Sequence, residues 1–312
     1  MIRLIDGQPH VRPCASIASD GDEGNEWIAS ISKLYEGLTR PLPLAGATAV
    51  APQPRGGEAR LAAHLRAEMP WMAPAIDRIA DRLALGWWAG RPWLALRPLL
   101  LVGPPGAGKT HFARRLGALS GCGDAILSLA GVSSNAELAG NPRGFRHPQP
   151  CFPALAMLRT GTANPMVLVD EAEKACAGSM GDPIGTLLGM LEASTSSRWF
   201  DGCLAAEVDL AHVNWVLTAN SIAGLPAPLL SRVDVVEVAG PGPDHAELLL
   251  ASLWRAVARD AGLPPAALPK LEAAAETMLL RLFRNTRSVR RLRRAVETVV
   301  AVSARAGARA IH

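Results

Sequence analysis

A glycine-rich octapeptide has the residue types and the spacing of a phosphate-binding loop. It consists of Gly103, Pro104, Pro105, Gly106, Ala107, Gly108, Lys109 and Thr110, which fit the pattern G-x-x-x-x-G-K-[S/T]. Glycines allow backbone N–H groups to curve around a phosphate, and a helix that starts after the loop adds the positive end of its dipole. Lys109 can reach the β- and γ-phosphate oxygens, and the Thr110 hydroxyl can ligate Mg²⁺. The octapeptide therefore predicts a nucleotide site that uses Mg²⁺.

An acidic pair lies downstream of this loop, at the end of an apolar run. Residues 166–169 read MVLV and are followed by Asp170 and Glu171. A carboxylate at the end of a buried strand can hold Mg²⁺ through water, and an adjacent glutamate can act as general base on the attacking water. A lone Asp-Glu pair more often caps a helix, so this interpretation depends on the loop upstream. Together the two motifs predict nucleotide hydrolysis.

The elements around these motifs alternate between strands and helices. Buried strands are predicted at residues 99–102, 125–129, 166–169, 214–218 and 233–238, with helices at 110–119, 151–158 and 183–191. Such alternation is typical of βαβ units, hence of a parallel sheet covered on both faces. Further helices are predicted at 244–261, 269–282 and 286–304. We expect a poorly ordered arm over residues 1–60 with one short helix at 27–38, an α/β nucleotide-binding domain over 61–240, and a small all-helical domain over 241–312.

The composition narrows the class of protein. Hydrophobic residues make up 49% and charged residues 19% of the 312 residues, which excludes a disordered chain. A net charge of +4 is too small by itself to indicate nucleic-acid binding. The five cysteines form no C-x-x-C pair, so we expect no zinc site. We expect instead a reducing, cytoplasmic location. The absence of a signal peptide pattern and of an apolar run of about 20 residues predicts no membrane association.

Five segments, taken in order, resemble the ATPase module of Lon proteases, a branch of the AAA+ family. They are GPPGAGKT (103–110), VLVDEAEK (167–174), GDP (181–183), TAN (218–220) and PLLSR (228–232). The resemblance covers about residues 69–300. It implies a P-loop NTPase fold of the AAA+ type with a helical lid domain, and an ATPase that uses ATP and Mg²⁺. It also implies a homo-oligomeric ring, a hexamer, that remodels or unfolds a protein client.

Three further site residues are implied by the resemblance. Asn220 matches the sensor 1 amide, which helps to position the lytic water against the γ-phosphate. Arg232 matches the arginine finger, which reaches the ATP of a neighbouring subunit, and Arg290 matches the sensor 2 arginine of the lid. A planar guanidinium can donate paired hydrogen bonds to phosphoryl oxygens, which suits both arginines. As alternatives, Asn220 caps a loop, Arg232 is a surface arginine, and another arginine beside Arg290 takes its place.

Two departures from the Lon pattern affect the expected function. The chain stops at His312, directly after the predicted lid, which leaves no room for the Lon peptidase domain. We therefore expect no peptide-bond cleavage by this protein alone. After the Arg-Gly turn at 143–144, residues 148–150 read Pro-Gln-Pro where Lon has the aromatic and aliphatic pair that grips polypeptide. Phe145 or Phe152 could substitute for the aromatic residue, although two prolines stiffen the loop.

A basic cluster leaves a second function open. Seven arginines lie within residues 281–294. At helical spacing Arg287, Arg290, Arg291 and Arg294 share one face, and Val289, Leu292, Val296 and Val299 share another. The basic face either contacts nucleic acid or faces ATP and the neighbouring subunit, and the lack of interleaved aromatics favours the second. The leading hypothesis is an ATPase that remodels a protein; the alternatives are a nucleic-acid-associated ATPase switch and a nucleotide-dependent scaffold with negligible turnover.

Overall fold

The computed structural model describes residues 3–5, 8–10, 57–178, 181–262 and 271–309. The helix predicted at 27–38 lies outside these residues, as does most of the predicted arm. The division into arm, α/β domain and helical lid domain therefore stays a prediction.

The bounds of the elements are as follows. The strands are β1 (Arg3–Ile5), β2 (Gln8–His10), β3 (Leu99–Val102), β4 (Asp124–Ser128), β5 (Met166–Asp170), β6 (Trp199–Asp201), β7 (Ala206–Val208), β8 (Asn214–Ala219) and β9 (Asp234–Glu237). The α-helices are α1 (Gly57–Glu68), α2 (Ala73–Trp88), α3 (Lys109–Ser120), α4 (Ala136–Ala139), α5 (Phe152–Thr160), α6 (Pro183–Leu191), α7 (Ala193–Ser196), α8 (Ala227–Leu230), α9 (Ala246–Asp260), α10 (Ala273–Thr286) and α11 (Val289–Arg309). Short 3₁₀ helices are η1 (Pro70–Met72), η2 (Ala172–Lys174) and η3 (Pro243–His245).

The main sheet has five parallel strands in the order β4-β5-β8-β3-β9. The parallel sheet predicted from the sequence is confirmed, and each predicted strand is present within a residue or so of its predicted bounds. Because β8 lies between β3 and β5, the carboxyl ends of these three strands are neighbours. In the register of the sheet Val102 pairs with Ala219 and Val169 pairs with Leu217. The phosphate loop, the acidic pair and Asn220 therefore leave the sheet at the same edge.

Helices on both faces bury the central strands. Every residue of β3 and of β8 is buried, which explains the apolar run of β3 and the apolar residues 215–217 of β8. Successive side chains of a strand point to opposite faces, so Leu99 and Leu101 join the core formed with α1, α2 and α3. Leu100 and Val102 join the other core, which includes α5 and α6. This double burial holds the loop-bearing ends of the strands in place.

The C-terminal helices α9, α10 and α11 pack around a core of their own. Leu279, Phe283, Leu292 and Val296 are fully buried there. Arg287 has a left-handed φ of 51° and ends α10, so it does not lie on α11 with the other basic residues. The predicted grouping of Arg287 with them is therefore wrong, because the chain breaks between the two helices. Within the described ranges, no helix combines the length and the apolar character needed to cross a membrane.

Candidate nucleotide site

The phosphate-binding loop joins β3 to α3, and its glycines are required for two different reasons. Gly106 and Gly108 have φ values of 87° and 92°, a conformation that strains any residue with a Cβ atom. Gly103 instead lacks space, because a Cβ there would lie 2.1 Å from the carbonyl oxygen of Val238. The first glycine thus allows β3 to pack beside the exit of β9, and the later two shape the loop.

Lys109 is the cation at the centre of the loop. Its side chain is largely buried, and its Nζ donates to the carbonyl oxygens of Gly103 and Pro104 at 2.6 and 3.2 Å. It also donates to Oδ1 of Asn220 at 3.1 Å. Burial lowers the pKa of the ammonium, although the carboxylates nearby, Glu173 foremost, act in the opposite direction. A phosphate in the loop would compete with these acceptors for the Lys109 protons.

Asp170 ends β5 and is held by two hydroxyl groups. Thr110 donates to its two carboxylate oxygens over 3.2 Å each, and the Thr218 hydroxyl donates to Oδ1. A hydroxyl and a carboxylate side by side are the oxygen ligands that Mg²⁺ uses together with phosphate oxygens and water. Among the described residues no group of three or more His, Cys, Asp or Glu side chains could hold a metal. The donor set thus fits a Mg²⁺ ion that arrives with a nucleotide.

Glu171 turns the chain away from the sheet in an unusual conformation. Its φ of 57° is left-handed, which costs a residue with a side chain about 1–3 kcal/mol. Its backbone N–H donates to the Thr218 hydroxyl at 3.2 Å, and its carboxylate accepts from Lys174 Nζ at 2.6 Å. The hydrogen bond to Glu171 raises the pKa of Lys174. The strained turn and its partners together hold a carboxylate at the cleft.

Asn220 directly follows β8, and both of its N–H groups are bound to Glu173. The backbone N and the side-chain Nδ2 donate to Glu173 Oε1 at 3.0 and 2.8 Å. Its Oδ1 is the atom that accepts from Lys109. The amide therefore links the loop lysine to a carboxylate on η2.

These groups line one cleft of about 440 Å³, a volume in the range of small-molecule sites. Its walls are Pro105, Gly106, Gly108, Lys109, Thr110, His111, Asp170, Glu171, Lys174, Thr218, Ala219, Asn220, Val289 and Arg290. The structure thus brings the loop, the acidic pair, Asn220 and Arg290 together. Of the other predicted loop residues, Gly103, Pro104 and Ala107 shape the loop without lining the cleft.

A tryptophan ties the loop to the C-terminal helices. Trp71 Nε1 donates to the carbonyl oxygen of Ala107 at 3.0 Å. Its ring lies 5.3 Å from the ring of His245, which precedes α9, and it packs against the core of the C-terminal helices. Trp71 therefore contacts both the phosphate-binding loop and the group of C-terminal helices that includes α11, the helix of Arg290.

Arg232 lies apart from this cleft. Its Nε donates to Glu192 Oε2 at 2.8 Å and its Nη1 to the Pro228 carbonyl at 3.0 Å. The residue is partly exposed at the end of α8. Its guanidinium does not reach the phosphate loop of the same chain.

The loop at 141–149 is closed at its base. Asn141 and Gln149 exchange backbone hydrogen bonds of 2.8 and 3.0 Å, and Arg143 donates to the carbonyl oxygens of Cys203 and Leu204 at 2.7 and 2.9 Å. Phe145 at its tip is 63% exposed. Phe152 instead packs against the core, so of the two aromatics considered from the sequence only Phe145 is presented to solvent.

Among the residues that were not predicted from the sequence as site residues are Thr218 and Lys174, which line the cleft, and Glu173, which binds Asn220 without lining it. A signal for Thr218 was present, because it is a polar residue that directly follows the apolar run 215–217. Glu173 and Lys174 follow Glu171 within the VDEAEK segment. Their importance arises from the left-handed turn at Glu171, which spacing alone does not reveal.

Known proteins show similarity over the same part of the chain. Residues 99–240 match the family described as ATPase family associated with various cellular activities (AAA). The chain is 37% identical over 164 residues to Lon protease 1 of Syntrophotalea carbinolica, which covers 53% of this chain and 20% of that protein. It is 31% identical over 224 residues to the mitochondrial Lon protease homolog 1 of Arabidopsis thaliana, covering 72% of this chain and 24% of that protein. The chain thus spans a quarter or less of the length of these curated relatives.

Among solved structures, the fold is similar to Hsp104 in a closed-state cryo-EM reconstruction with ATPγS and FITC casein. The TM-score is 0.62 with 15% sequence identity, over 77% of this chain and 46% of that chain. At this identity the similarity concerns the fold alone. The family match and the Lon relatives lead to one conclusion: residues 99–240 form a domain of the AAA ATPase family, similar to that of Lon proteases.

Proposed function

We propose that this protein binds ATP with Mg²⁺ and hydrolyses it in the cleft described above. The observation that carries the proposal is the convergence of four distant segments on one cleft: the phosphate loop, the end of β5, the end of β8 and the start of α11. Each segment contributes the type of group that phosphoryl transfer needs, a donor, a carboxylate, an amide or a guanidinium.

Binding places the phosphates against the loop. Backbone N–H groups of the loop and the positive end of α3 face the phosphate oxygens, and Lys109 exchanges its carbonyl partners for them. Thr110 and Asp170 would hold the Mg²⁺ ion, which neutralises part of the phosphate charge when it is bound. Arg290, at the cleft wall, donates to the γ-phosphate.

Hydrolysis requires a base and an oriented water molecule. In our proposal Glu171 accepts a proton from this water as its oxygen attacks the γ-phosphorus. The bond from the γ-phosphorus to the bridging oxygen breaks, and ADP and phosphate leave. Before that step the Glu171 carboxylate must leave Lys174, to which it is now bound.

A ring of identical copies is part of the proposal. Arg232 is partly exposed, lies outside its own cleft and is held in position by Glu192. We propose that it reaches the γ-phosphate in a neighbouring copy, as an arginine finger, in a hexamer.

A protein client is proposed because the exposed Phe145 lies on a loop that Arg143 holds through its hydrogen bonds. Cytoplasmic location and ATP hydrolysis without peptide-bond cleavage complete the proposal for these 312 residues.

The nucleic-acid alternative depends on the arginine side chains of α11 that have no carboxylate partner among the described residues. Arg293 is paired with Asp260 and Glu297, and Arg290 lines the cleft. Arg291 and Arg294 are exposed, and their guanidinium groups have no partner within the described part of the chain. Two such arginines provide a small electrostatic surface for a nucleic acid.

The experiment compares ATP binding and phosphate release by wild type, Lys109→Ala and Arg281→Ala. Arg281→Ala removes the same charge from an exposed position of α10. We expect Lys109→Ala alone to lose ATP binding and phosphate release, because phosphates lose their buried cation. Retained ATP affinity in Lys109→Ala would contradict the loop assignment.

The same assay separates the two candidate functions. Stimulation of wild-type phosphate release by an unfolded protein, but not by duplex DNA at the same salt, is the result we expect. Stimulation by DNA alone, abolished by Arg291→Ala with Arg294→Ala, would favour the nucleic-acid switch instead.

A further inference from the structure

Glu173 makes unusual contacts for a residue with no role in the proposed reaction so far. Its Oε1 accepts both N–H groups of Asn220, at 3.0 Å from the backbone and 2.8 Å from the side chain. Its Oε2 is buried and has no hydrogen-bond partner among the residues that the structure describes. A buried carboxylate oxygen without a donor is costly to the fold. This cost, together with the two hydrogen bonds from Asn220, makes Glu173 a candidate for a function.

The chemistry of Glu173 and Lys109, which both bind the side chain of Asn220, determines the orientation of its amide. A carboxylate can only accept hydrogen bonds, and an ammonium can only donate them. Glu173 therefore requires the NH₂ group of Asn220, and Lys109 requires its carbonyl oxygen. The reverse orientation would place oxygen against oxygen and N–H against N–H. The observed orientation, with Oδ1 toward Lys109 at 3.1 Å, is the one that satisfies both neighbours.

ATP binding changes one of these partners and not the other. When Lys109 donates its hydrogen bonds to phosphate oxygens instead, Oδ1 of Asn220 loses its donor and faces the cleft. Nδ2 stays on Glu173, because that carboxylate does not line the cleft. The group that Asn220 then offers is an acceptor. An acceptor can receive an O–H of the attacking water, whereas a phosphate oxygen would need a donor.

We propose that Glu173 is a positioning residue that fixes the amide of Asn220, so that Asn220 presents its carbonyl oxygen to the attacking water. This inference rests on the proposed ATP hydrolysis. Glu173 itself touches neither water nor phosphate in this account. Glu173 also favours the charged form of Lys109 through its own charge. Glu173→Gln removes that charge and keeps the acceptor oxygen, so the difference between Glu173→Ala and Glu173→Gln reports the orienting effect on the hydrolytic step.

The test is a double-mutant cycle on kcat and on the KM for ATP. Glu173→Ala frees the amide to turn, so we expect kcat to fall about 10- to 100-fold with little change in KM. Glu173→Gln keeps an oxygen that can accept from both Asn220 N–H groups, so its kcat stays close to wild type. In an Asn220→Ala background, Glu173→Ala causes no further loss, since there is no amide left to orient. Glu276→Ala, which removes an exposed glutamate from α10, is the control and behaves as wild type.

The outcomes separate this inference from the proposed function. If wild type releases phosphate and Glu173→Ala does so at the same kcat, the inference is wrong and ATP hydrolysis stands. Equal losses of kcat in the wild-type and Asn220→Ala backgrounds would show that Glu173 acts without Asn220, which also overturns it. If wild type itself releases no phosphate, both fall together.

Discussion

At the scale of single residues, our proposal makes Glu171 the general base. Its left-handed φ of 57° and the hydrogen bond that its backbone N–H donates to the Thr218 hydroxyl oxygen direct the carboxylate to the cleft. Glu171→Gln keeps the size of the side chain and removes the base. General-base catalysis contributes about 10²- to 10⁴-fold, and we expect a loss of that order in phosphate release. ATP binding, measured in parallel, should persist because Lys109 is untouched.

The sequence predicted those residues whose function depends on local order along the chain. Lys109 and Thr110 follow a glycine loop, and Asp170 and Glu171 follow an apolar strand, so spacing was enough to find them. Glu173 could not be found in this way. It matters because Asn220, which is distant in sequence, donates to it twice, and such a contact exists only after the sheet has formed.

At the scale of elements, the site depends on how closely β3 and β9 approach at the start of the loop. The central strands were predictable because burial on both faces imposes apolar runs, and the edge strands β4 and β9 because each keeps a short apolar segment. Their order was not, since apolar runs carry no record of which strand is the neighbour. Placing β8 between β3 and β5 is what brings Asn220 beside Lys109. The break at Arg287 was also missed, because an arginine gives no signal for a left-handed residue.

The approach of the two strands can be tested with one added methyl group. Gly103→Ala would place a Cβ 2.1 Å from the Val238 carbonyl oxygen, so β3 and β9 must separate. We expect a destabilisation of about 1–3 kcal/mol, measured as a fall in Tm, and weaker ATP binding. The control is Gly86→Ala in α2, where the nearest atom is 3.5 Å away. That change should stabilise the protein by about 0.5–1 kcal/mol; an unchanged Tm for Gly103→Ala would contradict the packing argument.

At the scale of the whole molecule, our proposal adds one group to the cleft, the guanidinium of Arg232 from a neighbouring copy. The Glu192 carboxylate holds Arg232 at 2.8 Å, at a partly exposed position of its own chain. Head-to-tail contacts between identical copies close into rings when the rotation allows it, and each copy then offers its arginine to the next. The ring stays a proposal that the resemblance to Lon proteases implies, because neither burial nor periodicity in one chain predicts it.

Mixing two inactive variants tests this arrangement. Lys109→Ala copies have a disabled cleft and an intact Arg232, whereas Arg232→Ala copies have the reverse. We expect little phosphate release from either variant alone, and a clear gain when the two are mixed, because some intact clefts then face intact arginines. Mixing Arg232→Ala with the double variant Lys109→Ala, Arg232→Ala, which offers no intact Arg232, provides the control and should give no gain. Wild-type activity of Arg232→Ala alone would rule out the arginine finger.

The central claim is that this cleft hydrolyses ATP with Glu171 as the base. Its most direct test is phosphate release by wild type and Glu171→Gln at an ATP concentration that saturates both, with bound ATP measured in the same samples. Glu276→Gln controls for the loss of one exposed negative charge. The account predicts that Glu171→Gln holds ATP as wild type does and releases about 10²- to 10⁴-fold less phosphate. Phosphate release by Glu171→Gln at the wild-type rate, with ATP bound, would contradict it.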